Sequence, residues 1–93
     1  MIKSFKDKRT AAVAAGETPK GFPTDILRTA QRKLEALRAA VTLEDLRVPP
    51  GNRLEALSGD RAGQHSIRIN DQWRVCFVWE VDGAHDIEIV DYH

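Results

Sequence analysis

Four arginines, Arg53, Arg61, Arg68 and Arg74, fall within 22 residues of one another. Arginine keeps its charge at any working pH and grips phosphate oxygens with a planar fork of donors. Arg68 and Arg74 stand on the polar sides of two alternating runs, HSIRIN and WRVCFVWE. Neighbouring antiparallel strands bring such residues side by side. Two guanidinium groups so placed repel unless an anion lies between them, which points to phosphate. The alternative is a set of solvated charges paired with Glu80, Glu88 or Asp71. A second group of reactive types is Asp91-Tyr92-His93 at the last three positions. Imidazole passes a proton near neutral pH, and a phenol stacks on a base or donates to an oxyanion. The alternative there is a frayed tail.

Other chemistries find less support. His65, His85 and His93 have no cysteine or carboxylate at metal-ligand spacing. GDRAG lacks the Lys-Ser/Thr ending of a phosphate loop and the helix that follows one. Cys76, between Val75 and Phe77, reads as a buried small side chain rather than a nucleophile. Trp73 and Trp79 alternate with apolar residues, so packing comes before base stacking for both.

These residues need elements to hold them. Ile2 to Phe5 reads as a short edge strand. DKRTAAVAAG reads as a helix stopped at Gly16. ETPKGFPTD, with two prolines, is a loop, and Thr24 or Asp25 is placed to cap the next helix. Ile26, Leu27, Ala30, Leu34, Leu37 and Val41 then recur at helical spacing and make one apolar stripe. Leu43, Leu46 and Val48 suggest a short extra turn before VPPGN ends helical structure. After Gly51 the period falls to two. Residues 52–57 suggest a strand, SGDRAG a turn, and Ile67/Ile69, Trp73/Val75/Phe77/Trp79 and Ile87/Ile89 three strand faces. Asn70-Asp71-Gln72 and Asp82-Gly83 are the turns between them. The layout is α+β: two N-terminal helices packed on an antiparallel sheet of three or four strands.

Ninety-three residues make one domain, 1–93. One cysteine rules out a disulfide framework and a cysteine-rich zinc site. No apolar run approaches the roughly 18–20 residues of a membrane span, and MIKSFKDKRT has no apolar stretch behind its charges. A cytoplasmic protein with no membrane partner is expected. The net charge of zero conceals an asymmetry. All fourteen Lys and Arg lie in residues 1–74, which carry +5, while residues 75–93 carry −5. Such a distribution suits a molecule whose basic side meets a polyanion.

The run LEALSGDRAGQHSIRINDQWRVCFVWEVDGAHDIEIVDYH resembles the second half of HigB-like toxins of the RelE/ParE superfamily. MIKSF and the PPGNRLEALSG joint resemble the same family, so the likeness spans essentially the whole chain. It implies two N-terminal helices on a curved antiparallel sheet. It implies ribosome-dependent cleavage of mRNA without a metal or other cofactor, by attack of the 2′-hydroxyl on the adjacent phosphate. Carried over by position, Arg74 of the WR pair stabilises the phosphate, and Asp91, Tyr92 and His93 match the terminal acid, aromatic and imidazole. Arg61 and Arg68 would contact RNA phosphates. The chain departs from the pattern at Glu55, where some members have a histidine, and at Ser58, where they have a lysine. Glu55 is then either a general base or a partner of Arg53, Arg61 or Arg74. The implied partners are the ribosome with its mRNA and a cognate helix-turn-helix antitoxin, through which alone DNA is contacted. The other readings on this fold are a ParE-like toxin that binds gyrase without cleaving RNA, and an inactive toxin serving as co-repressor.

Overall fold

The computed structural model describes residues 1–92; His93 lies outside the described residues. The first helix, α1, spans Lys8–Ala14, and the Asp7 side chain caps it by accepting from the Thr10 N–H. Gly16 follows with φ of +88°, the left-handed conformation that ends a helix at little cost for glycine. The second helix, α2, spans Leu27–Ala39. Neither Thr24 nor Asp25 caps it with a side chain. Both sit in a 3₁₀ turn, Thr24–Ile26, that leads directly into the helix.

The apolar stripe of α2 lands where its spacing requires, with Ile26, Ala30, Leu34 and Leu37 buried. Val41 departs from it and is 82% exposed. The helix stops at Ala39 and Ala40 turns to extended backbone, so the spacing from Leu37 no longer runs along a helix. The Asp45 carboxylate then takes the N–H groups of Val41 and Thr42 at 2.9 and 3.0 Å and starts a new turn, Leu43–Arg47. Leu46 of that turn is buried, but Val48 is exposed, since the chain is extended by then.

Four strands follow: β1 (Glu55–Ala56), β2 (His65–Arg68), β3 (Trp73–Glu80) and β4 (Gly83–Asp91). They pair antiparallel in the order β1-β2-β3-β4. The strand expected over 52–57 shrinks to two residues, because Pro50–Asn52 forms a 3₁₀ turn and Arg53 is left-handed. The last hairpin turns on Val81-Asp82, one residue earlier than the Asp-Gly pair suggested. Gly83 already pairs with Glu80. Gly83 is needed at its own position: φ is +134°, and a Cβ would overlap the Met1 carbonyl oxygen. Ile2 and Phe5 form single parallel bridges to Ala84 and Ile87, so the N-terminal segment lies along β4.

Leu34 and Leu37 of α2 belong to one buried cluster with Ile67, Val75, Phe77, Ile87 and Ile89 of the sheet. One face of the sheet therefore meets the helices. The other carries Ser66, Arg68, Arg74, Cys76 and Glu88.

Candidate functional site

Register decides which side chains meet on the open face. Glu55 is opposite Ser66, Ser66 opposite Cys76, and Cys76 opposite Glu88. A second row runs Arg68–Arg74–Val90. The two arginines are thus direct cross-strand neighbours, as the alternation predicts. Asn70 sets this register by accepting from the N–H groups of Gln72 and Trp73, both at 2.8 Å, which closes the turn between β2 and β3.

Arg74 is the most enclosed of the site cations, its side chain 11% exposed. Its Nε donates to Ser66 Oγ at 2.8 Å, and Nη2 donates to the Arg53 carbonyl at 2.7 Å. The same Nη2 lies 3.7 Å from Glu55 Oε1. Arg53 offers its carbonyl from a left-handed conformation, φ +45°. Asn52, fully buried, fixes that turn: its amide donates to the Leu46 and Val48 carbonyls and its oxygen accepts from Lys33 Nζ. Burial first, then the charges of Arg32 and Arg68, pulls the Lys33 pKa below its ordinary value. Lys33 therefore ties α2 to the Pro50–Asn52 turn.

Arg68 is held by Asp71 in the turn. Arg61, from the Gly59–Arg61 turn, donates to Gln64 at 3.1 Å and Glu88 at 3.3 Å. Lys6 Nζ stands 3.8 Å from the same Glu88 oxygen. Two of the three acids offered as alternative partners, Asp71 and Glu88, thus do pair with arginines. Cys76 is buried beneath this group, and burial raises its thiol pKa. That fits packing, not nucleophilic use.

The structure brings together Glu55, Arg61, Arg68 and Arg74. It separates Asp91 from them: Asp91 pairs with Trp73, the neighbour of Arg74, so alternation assigns it to the opposite face. Its carboxylate accepts from Gln72 Nε2 at 3.0 Å. Tyr92 continues the pairing through its N–H to the Gln72 carbonyl and is 37% exposed. His93 is outside the described residues. Sequence reasoning missed Ser66, the Arg53 carbonyl and Lys6. The signal for Ser66 was its place two residues before Arg68 on the polar face. No group of three or more metal-ligating side chains occurs among the described residues, and none of their helices is long and apolar enough to cross a membrane.

A four-stranded meander with helices on one side and ordered arginines on the other defines a small α+β protein of the RelE-like kind. The chain belongs to the HigB-like toxin family, RelE-like toxins of type II toxin–antitoxin systems, which it matches over residues 3–93. It is 48% identical to Toxin HigB-1 of Vibrio cholerae over 77% of this chain and 75% of that one. It is 31% identical to Endoribonuclease HigB of Proteus vulgaris over the full length of both. Membership of a type II system gives the toxin an antitoxin partner.

Proposed function

We propose that this toxin is an mRNA endoribonuclease that cuts its substrate on the ribosome. The observation that carries the reading is the fixed Arg74 guanidinium beside the Glu55 carboxylate, with Arg68 next to it across the strands. The full-length likeness to a protein named as an endoribonuclease supports it. The substrate's 2′-hydroxyl oxygen attacks the adjacent phosphorus and the P–O5′ bond breaks. The products are a 2′,3′-cyclic phosphate and a 5′-hydroxyl. Glu55 takes the proton from the 2′-hydroxyl. Arg74 stabilises the extra negative charge on the phosphate through its unused donors. His93 delivers a proton to the leaving 5′-oxygen. Tyr92 stacks on a base, Asp91 supports the end of the strand or the imidazole, and Arg61 and Arg68 hold flanking phosphates. Preorganised donors aimed at developing charge are the largest single contribution in most such reactions. The antitoxin is expected to carry a helix-turn-helix domain.

The test is cleavage of a defined mRNA on programmed ribosomes and free in solution, with the cut ends identified. A 2′,3′-cyclic phosphate made on the ribosome is the expected result. Folded protein that cuts neither RNA would overturn the reading in favour of a binding toxin.

A further inference from the structure

Among the described residues, Arg74 is the partner of the fully buried Ser66 hydroxyl. The bond falls on Nε, the atom about which the guanidinium plane swings. The Arg53 carbonyl takes a hydrogen of Nη2. Two acceptors on the inner edge, one a side chain and one main chain, fix the plane as one alone would not. They leave Nη1, which no described residue engages, on the outer edge. A side chain with many rotamers is thereby reduced to one presentation before any substrate arrives.

We propose that Ser66 is a positioning residue for RNA cleavage: its buried hydroxyl, with the Arg53 carbonyl, sets the plane of Arg74 so that the Nη1 edge faces the scissile phosphate. The inference rests on the proposed role of Arg74 in phosphate stabilisation. The supporting geometry extends inward. Arg53 holds its carbonyl in place at φ +45°, a conformation unfavourable for a residue with a Cβ. Asn52 clamps the chain just before it. Backbone strain over-determined by buried hydrogen bonds is typical of sites where orientation matters.

The experiment is a double-mutant cycle of Ser66→Ala and Arg74→Lys, read as kcat and KM on programmed ribosomes. Lysine has no Nε for the hydroxyl to orient. Ser66→Ala is expected to lower kcat at least about tenfold in the Arg74 protein, with KM within about twofold. In the Arg74→Lys protein it should cost less than about twofold. An equal loss in both backgrounds would mean a structural role and would overturn the proposal. A second measurement follows the Arg74 Nε–H by ¹H–¹⁵N spectroscopy. It should exchange slowly with solvent in the wild type and fast in Ser66→Ala; equal exchange in the two proteins overturns the cradle. This spectrum is independent of cleavage. A wild type that cuts no RNA but shows the protected Nε–H would remove the endoribonuclease reading, and with it the catalytic use of a cradle still physically present. An unprotected Nε–H in a wild type that does cut RNA would remove the cradle alone.

Discussion

Replacing Glu55 by glutamine separates its two roles by magnitude. The side chain keeps its shape and one acceptor oxygen but loses charge and basicity. Glu55 is 54% exposed and its oxygen sits 3.7 Å from Arg74 Nη2. Two unit charges at that distance attract by about 1 kcal/mol in bulk water and about 4–5 kcal/mol at an effective dielectric near 20. Exposure of the carboxylate puts the pair toward the weak limit, where measured values run at about 0–1 kcal/mol. A mere partner of Arg74 therefore changes stability by under about 1 kcal/mol, and disturbs the rate by no more than about fivefold. Removing a general base costs about 10²–10⁴-fold. The ranges do not overlap. The assay is single-turnover cleavage on ribosomes, with urea unfolding followed by the fluorescence of Trp73 and Trp79. Glu55→Gln is expected to cut at least about 100-fold more slowly with its unfolding free energy within about 1 kcal/mol of wild type. A loss of less than about fivefold would refute the assignment and leave Glu55 as a counter-ion.

Four further outcomes are expected. Arg74→Ala lowers cleavage by at least about tenfold in folded protein, as loss of a transition-state donor does; a wild-type rate would take Arg74 out of the mechanism. Cys76, whose thiol pKa burial raises, resists iodoacetamide at pH 8 in native protein and is labelled once urea unfolds it; fast native labelling would show the site is open. The Asp45 pKa is depressed by the N–H groups of Thr42 and then Val41. Its stabilising effect is present above the unfolded value of about 3.9 and is lost as pH falls through the lower folded value. Asp45→Asn should therefore flatten the decline of stability below about pH 4, and parallel acid limbs would count against the cap. Gly83→Ala should destabilise by at least about 1 kcal/mol, since a Cβ meets both an unfavourable φ and the Met1 carbonyl; an unchanged denaturation midpoint would contradict this.

What the sequence could and could not show follows from the range of each interaction. Period-2 alternation and the Asn70–Gln72 turn are local, and they sufficed to place Arg68 beside Arg74. The faces of the strands that meet α2 were legible for the same reason. Asp91 shares parity with Ile87 and Ile89, so alternation along β4 sets it apart from Arg74, whereas a count across the hairpin does not, because the register shifts between Cys76 and Val78. Ser66 was legible as a polar-face residue two positions before Arg68, but not as a buried one. Its hydroxyl is buried and accepts from Arg74 Nε, a contact between strands that no local pattern in the sequence encodes. Val41 failed for a related reason. Its spacing fits the α2 stripe, but Asp45, four residues on, captures its N–H and turns the chain away.

The arrangement of acids on the open face bears on how a neutral protein takes hold of a polyanion. Arg61, Arg68 and Arg74 each pair with a carboxylate: Glu88, which Lys6 shares, Asp71 and Glu55. Such pairs do not argue against phosphate binding. Asp71 is fully exposed and Glu55 more than half exposed, so parting them from arginine costs little. A phosphate arriving at the same fork regains what the carboxylate gave up, and the released acid is free in water. At Arg68 the exchange returns only a solvated side chain. At Arg74 it returns a carboxylate beside the phosphate, where the proposed mechanism uses a proton acceptor. The inner edge of that guanidinium stays bound to Ser66 and Arg53 throughout. Of the three pairs, the one at Arg74 thus combines a cation fixed from behind with an exposed acid in front, the arrangement the proposed cleavage calls for.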